Sequence, residues 1–451
     1  MTKSKKLFGT DGIRGVANSY PMTAEVALSL GRALVTTFQN GQKPRILIGK
    51  DTRLSGYMLE TAMASGICSQ GGDVLLVGPM PTPGIAFLTQ SMRADAGVVI
   101  SASHNSFQDN GIKIFDASGF KLPDTIESQI ESFILSEQKE KKNLEPETIG
   151  KALRIEDAPG RYIEFVKSTF PKHLTLDGLK IVVDCAHGAT YMIAPVVFKE
   201  LGAEVILMGA EPNGRNINKG VGAVHPEAMA AQVKAVGAHC GIALDGDGDR
   251  VIFADEKGQV VEGDAILSLC AGEMIQDGVL KQKTLVATVM SNQGVVDYVS
   301  SRGGKVVRTS VGDRYVVEEM REKGYNFGGE ASGHLVFLDH VTTGDGLVAA
   351  LQILKILQEK KQSLSQIVSG YHSYPQILTG IKVKERRNLE EMNELQSMIS
   401  NFEKKLGSHG RILVRYSGTE PLVRVMIEGK DNQLIKKMAA DLSQCVQRNL
   451  S

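Results

Sequence analysis

The segment Asp245-Gly246-Asp247-Gly248-Asp249-Arg250 spaces three carboxylates two residues apart. If the apolar run 240–244 (CGIAL) continues extended into it, all three side chains face one side, because strand side chains repeat every two residues. Three such oxygens suit a hard cation such as Mg²⁺, which keeps its remaining positions for water or a phosphate. An EF-hand would place Glu256 at its twelfth position, but Arg250 stands where that loop needs glycine, and the flanks read as strands. A polar turn closed by Asx hydrogen bonds is the other reading.

Ser103-His104-Asn105 follows the apolar run 96–101 (AGVVIS), and Lys113 lies on the next predicted strand. Ser103 offers a nucleophile or a phosphate-accepting hydroxyl. The G-x-S-x-G elbow is missing, and neighbours on an extended chain point apart, so His104 is expected to be poorly placed as a base for Ser103. Glu330, Ser332 and His334 share one parity, which would aim a carboxylate, a hydroxyl and an imidazole at sugar hydroxyls or an amine. A glycine-rich hairpin turn with a solvated Glu330 competes with that reading. Arg415, Ser417, Gly418, Thr419 and Arg424 combine two guanidinium groups, two hydroxyls and a turn whose amides can nest a phosphate. Two exposed strand arginines around a tight turn would look the same. Arg14, in the loop 9–15 (GTDGIRG), is uninformative alone. Together the loops supply a hydroxyl nucleophile, a magnesium cage, a hydroxyl reader and a phosphate clamp, which is the equipment of a phosphosugar enzyme.

The elements that must carry these loops repeat three times. Each repeat has an apolar strand, a helix-period stretch, a glycine, a second strand, and later a third strand ending in a polar loop. The strands fall at 45–49, 180–184 and 284–289, and helices are predicted near 56–69, 192–201 and 294–301. Alternating strands and helices predict α/β units, whose ligands collect beyond the carboxyl ends of the strands. The polar stretch 136–151 reads as a connection, and a second boundary falls near 371–375. The remainder changes grammar to strand, helix, the segment 411–429 and a final helix. The expected fold is therefore three related mixed-sheet α/β domains, 1–150, 151–255 and 256–372, plus a smaller α+β domain, 373–451, with the active site in the central cleft.

Composition narrows the partners. The 451 residues hold 51 basic and 51 acidic side chains, which removes the basic footprint of a nucleic-acid binder. Tryptophan is absent, so stacking platforms are scarce. Five scattered cysteines, Cys68, Cys185, Cys240, Cys270 and Cys445, contain no C-x-x-C pair, and no apolar run approaches bilayer length. A cytoplasmic protein with a small-molecule substrate, binding neither nucleic acid nor membrane, is expected.

The chain resembles the α-D-phosphohexomutase superfamily over its whole length, through FGTDGIRG (8–15), SASHN (101–105), DGDGDR (245–250), GGEASGH (328–334), TTGDG (342–346) and SGTEPLVRVMIEG. The combination is most similar to the members acting on amino sugars. The resemblance implies interconversion of glucosamine 6-phosphate and glucosamine 1-phosphate, feeding UDP-N-acetylglucosamine and cell-wall precursors. Phosphomannose or phosphoglucose is the alternative substrate. It implies that Ser103 carries a phosphoryl group, and that Asp245, Asp247 and Asp249 hold one Mg²⁺ per chain against it. Glu330 and Ser332 would read ring hydroxyls, and Arg415, Ser417, Gly418, Thr419 and Arg424 would grip the phosphate that is not reacting. Arg14, His104, Lys113, Arg250 and His334 are the groups for charge stabilisation and proton transfer. Glucose or glucosamine 1,6-bisphosphate would act as activator, and members are often homodimers. Ser106, Ala331, Tyr416 and Gly222-Ala223-Val224-His225 depart from the usual pattern without removing a ligand.

Overall fold

A computed structural model describes residues 7–9, 11–39, 41–136, 145–384, 387–416 and 422–450. Its strands form four successive sheets. In the first, Arg45–Lys50 runs parallel to Asp73–Pro79 and Ala96–Ile100, and Asp109–Asp116 then returns antiparallel beside Gly12–Val16. In the second, Lys180–Asp184 runs parallel to Glu204–Met208 and Cys240–Leu244, and Val251–Ala254 returns antiparallel. In the third, Thr284–Thr288 runs parallel to Lys305–Thr309 and Phe327–Gly329, and Leu335–Phe337 returns antiparallel. The polar loop of each repeat makes the reversal, so all three loops lie at the carboxyl ends of parallel strands.

The predicted helices form as Leu54–Ser69, Ala194–Glu200 and Gln293–Ser300. Pro195 in the first turn sets the later start of the second, since its ring tolerates only that position. The Asn292 side chain caps the third by accepting from the Gly294 N–H.

Two boundaries move. Ala152–Arg154, expected in the second domain, pairs parallel with Asp73–Pro79, so the first sheet runs past residue 150. Val260–Val261 pairs with Val251–Ala254, so the second sheet runs past residue 255. In both cases the chain adds an edge strand before leaving, which protects the sheet edge. The fourth domain is α+β: Gln376–Lys382, Gly410–Tyr416 and Leu422–Gly429 form an antiparallel sheet covered by the helices Asn393–Leu406 and Asn432–Leu450.

One apolar core runs through the first three domains, joining residues such as Leu75, Ile181 and Leu267. The fourth domain packs a separate core around Leu395, Ile427 and Leu442. No described helix is long and apolar enough to cross a membrane.

Candidate active site

Ser103 is 1% exposed and takes a left-handed backbone, φ 51°, as the chain leaves strand Ala96–Ile100. Its N–H donates to Ser101 Oγ at 2.9 Å, and its own hydroxyl donates to Asp245 Oδ2 at 2.6 Å. The left-handed turn also curls His104 back, so its Nδ1 lies 3.4 Å from Ser103 Oγ. The expectation that these neighbours point apart assumed an extended chain. Burial, then Arg250 and Arg14, lower the His104 pKa to about 4, which leaves a neutral imidazole.

The three aspartates converge as expected, but by a different route. Strand Cys240–Leu244 ends before Asp245, and the next begins at Val251, so residues 245–250 are a turn, with Gly248 at φ 70°. Carboxylate oxygens of Asp245, Asp247 and Asp249 nonetheless lie within 4.8 Å of one another, all buried. Thr82 pins the middle one, donating from Oγ1 to Asp247 Oδ2 at 2.7 Å. Burial, then the charges of Asp249 and Asp247, raise the Asp245 pKa well above the usual carboxylate range. Asp247 Oδ1 and Asp249 Oδ1 are buried without hydrogen-bond partners. Buried carboxylate oxygens with no donor, gathered this closely, fit a bound divalent cation.

Lys113 Nζ stands beside this cage, 3.2 Å from Asp247, 3.5 Å from Asp249 and 3.4 Å from Asp11. Burial opposes its charge, but the Asp11, Asp247 and Asp249 carboxylates outweigh that and hold its pKa above the usual lysine range. His334 lies 3.8 Å from Asp249 and 3.5 Å from Asp313. Lys121 joins Asp313, at 2.6 Å, to Asp11, which also pairs with Arg14. Alternating charges from three domains thus form a closed floor: Asp249, His334, Asp313, Lys121, Asp11, Lys113.

Above this floor opens a cleft of about 500 Å³ lined by Asp11, Arg14, Ser103, His104, Asp249, Arg250, Asp313, Glu330 and His334, among others. The Arg250 N–H donates to Asp245 Oδ1 at 3.2 Å. Glu330 is half-buried and accepts from the Gly312 N–H at 3.1 Å. Ser332 is exposed at the tip of the turn closed by the Gly333 N–H on the Glu330 carbonyl, so parity along a strand does not describe this trio. Arg415 and Arg424 face each other across the fourth-domain hairpin, and neither lines the cleft. Arg415 Nη2 lies 3.8 Å from Met290 Sδ of the third domain. Ser417, Gly418 and Thr419 lie outside the described residues.

Sequence reasoning passed over Asp11, Arg53, Thr82, Lys121, Asn218 and Asp313. Asp11 shares its loop with Arg14, and Arg53 closes the turn after the first repeat's first strand, so those two positions held a signal. Lys121 and Asp313 gave none, being 192 residues apart.

This fold and site define a phosphoryl-transfer enzyme of the hexose phosphates. Sequence models described as phosphoglucomutase/phosphomannomutase alpha/beta/alpha domains I, II and III and C-terminal domain match residues 5–141, 160–258, 262–374 and 378–444, and the chain belongs to that family. It is 60% identical over 445 residues to the phosphoglucosamine mutase of Anaeromyxobacter sp. (strain Fw109-5), covering 98% of this chain and 95% of that one. A solved phosphoglucomutase/phosphomannomutase family protein from Burkholderia thailandensis superimposes with a TM-score of 0.83 at 26% identity, over 99% of this chain and 98% of that one. The N-acetylphosphoglucosamine mutase of Aspergillus fumigatus, solved with GlcNAc-6P and magnesium, shares the fold with a TM-score of 0.68 at 18% identity, over 99% and 96% of the two chains.

Proposed function

We propose that the chain interconverts glucosamine 6-phosphate and glucosamine 1-phosphate through a phosphoserine at Ser103 and a 1,6-bisphosphate. The observation that carries this reading is the Ser103 hydroxyl hydrogen-bonded to Asp245 inside a buried cluster of three aspartates, at the base of a cleft shared by three domains. The amino sugar follows from the named relative.

Phosphoryl transfer from the serine breaks the P–Oγ bond and forms a P–O bond to the free sugar hydroxyl, whose proton leaves to a base. The bisphosphate turns round, and its other phosphoryl returns to Ser103, so no phosphate is lost. The transition state is loose, and positioning with electrostatics supplies most of the rate. Asp245, Asp247, Asp249 and an oxygen on Ser103 would hold one Mg²⁺ per chain, which when bound neutralises charge on the transferring phosphoryl group. Lys113, Arg14 and Arg250 add fixed positive charge around the same point. His104 and His334 are the groups able to carry the proton, since the carboxylates around Lys113 keep that side chain charged. Glu330 and Ser332 contact ring hydroxyls, and Arg415 and Arg424, with Ser417, Gly418 and Thr419, grip the distal phosphate once the fourth domain approaches. Glucose or glucosamine 1,6-bisphosphate primes the serine. The five unpaired cysteines support a cytoplasmic setting. Assembly as a homodimer, implied by the resemblance, is read by light scattering.

The test is ³¹P NMR of the chain with glucosamine 6-phosphate, Mg²⁺ and a trace of glucose 1,6-bisphosphate. A glycosyl 1-phosphate resonance that disappears in Ser103→Ala supports the reading. Turnover of only glucose or mannose phosphates would move the substrate, and free phosphate alone would replace the mutase with a phosphatase.

A further inference from the structure

The Ser103 hydroxyl is aimed by a backbone conformation that costs an L-residue free energy, and the surrounding structure must impose it. Two side chains outside the loop do so. Arg53 Nη2 donates to the carbonyls of Ser103 and Asn105, at 3.2 and 2.5 Å. Asn218 Nδ2 donates to the same two carbonyls, at 2.9 and 3.0 Å. Arg53 belongs to the first domain and precedes the helix Leu54–Ser69. Asn218 belongs to the second, on the connection between Glu204–Met208 and Pro226–Val236. Both are buried.

Each donor is itself held. Arg53 is ion-paired with Asp51, which also accepts the Arg53 N–H at 2.9 Å. Asn218 is left-handed, φ 57°, and its N–H donates to the Ala186 carbonyl at 2.8 Å; Ala186 and His187 are left-handed too. Four of the nine non-glycine residues with positive φ among the described residues therefore meet at this junction. Gly246 closes it. A Cβ there would stand 2.6 Å from the Ser103 carbonyl oxygen and 2.8 Å from Asn218 Nδ2.

We propose that Arg53 and Asn218 are positioning residues for phosphoryl transfer: a clamp built from two domains that holds the Ser103 and Asn105 carbonyls and so keeps the serine hydroxyl on Asp245. The catalytic consequence rests on the phosphoserine reading; the clamp itself does not. Because one donor comes from each domain, the serine is aimed only while the second domain's connection is docked against the first.

Asn218→Gly deletes the donor yet suits φ 57°, since glycine enters the left-handed region freely. Asn218→Asp keeps the shape and replaces the donor with an acceptor facing two carbonyls. Hydrogen–deuterium exchange of the full chain is followed at residues 101–108, and steady-state kinetics are measured with glucosamine 6-phosphate. Exchange at Ser103–Asn105 is expected to rise in both variants, and kcat to fall by about 10²-fold. KM is expected to stay within about twofold, the signature of an interaction needed in the transition state and not for binding. Arg53→Lys shifts both readouts the same way. Unchanged exchange in that segment, or a raised KM at unchanged kcat, overturns the clamp. If the unaltered chain turns over no hexose phosphate, the functional reading fails and exchange alone decides the clamp.

Discussion

The junction at Ser103 and the junction of the third and fourth domains both carry buried hydrogen bonds but differ in the apolar core beneath them. At the first, donors from two domains share the same carbonyls, a glycine is required by contact distance, and the apolar core runs on through three domains. At the second, the contact is a polar latch. Glu428, fully buried, accepts from the Gln293 N–H at 3.0 Å, Arg411 Nε at 2.7 Å and Gln376 Nε2 at 2.6 Å. Arg411 also donates to the carbonyls of Val289 and Ser291, at 2.8 and 2.6 Å. Beside it lies a cavity of about 690 Å³ that includes Asp264, Asn292 and Tyr374 in its lining, and the fourth domain keeps its own core. Close-packed apolar contacts resist shear, and the apolar core that is continuous through the first three domains does not extend, among the described residues, into the fourth, whose own core is separate. Ser103 and the three aspartates thus sit on the side with the continuous core, and Arg415 and Arg424 sit on the side joined through the latch. The proposed bisphosphate, held both ways round, would use that division.

The largest effect should come from the cage. Asp245→Asn is expected to lower kcat by about 10³-fold, and a chelator to abolish turnover that Mg²⁺ then restores; turnover surviving chelation would remove the metal from the Ser103 side. Gly246→Ala forces a methyl against the Ser103 carbonyl, and a loss of about 10²-fold in kcat follows if the close approach aims the serine. Arg411→Ala leaves Glu428 buried without its cation, costing about 3–5 kcal/mol in denaturant titration; a cost near zero would mean that the latch is already wet. Small-angle scattering with a bisphosphate ligand is expected to show a smaller radius of gyration through rotation near residues 371–375, and superimposable profiles would end the hinge.

The smallest effect concerns Asp264, whose pKa burial raises to about 6 against the opposing Asn292 and Ser291 hydrogen bonds. Its ordinary value is 3.8, so between the two the folded chain binds more protons than the unfolded one. Stability from this group is present at low pH and lost as pH rises through 6. Asp264→Asn should flatten that slope in denaturant titrations at pH 4 and 7, while leaving the Ser103 junction unchanged.

Much of the site was legible because it is local. The three aspartates, Ser103 and Lys113 announced themselves by residue type beside strand patterns, and the repeat placed their loops at equivalent ends of three sheets. Asp245, Asp247 and Asp249 converge although Gly248 turns the chain where the sequence pattern predicts a strand. Of Glu330, Ser332 and His334, the first and last enter the cleft lining, and Ser332 stays at the exposed tip of the turn.

Residue pattern alone decided the order of strands and helices, the threefold repeat, the change to an α+β unit, and the chemical types at each loop, because backbone dihedrals and amphipathic periods are short-range properties. Packing of the domains decided which charges meet. Lys121 reaches Asp313, Asn218 reaches Ser103, and the Asp245 carboxyl is raised only when burial strips its water, and none of these is visible within a stretch of chain. Desolvation and contact between distant segments exist only after the domains close on one another, and they gather a row of polar loops around one buried serine hydroxyl.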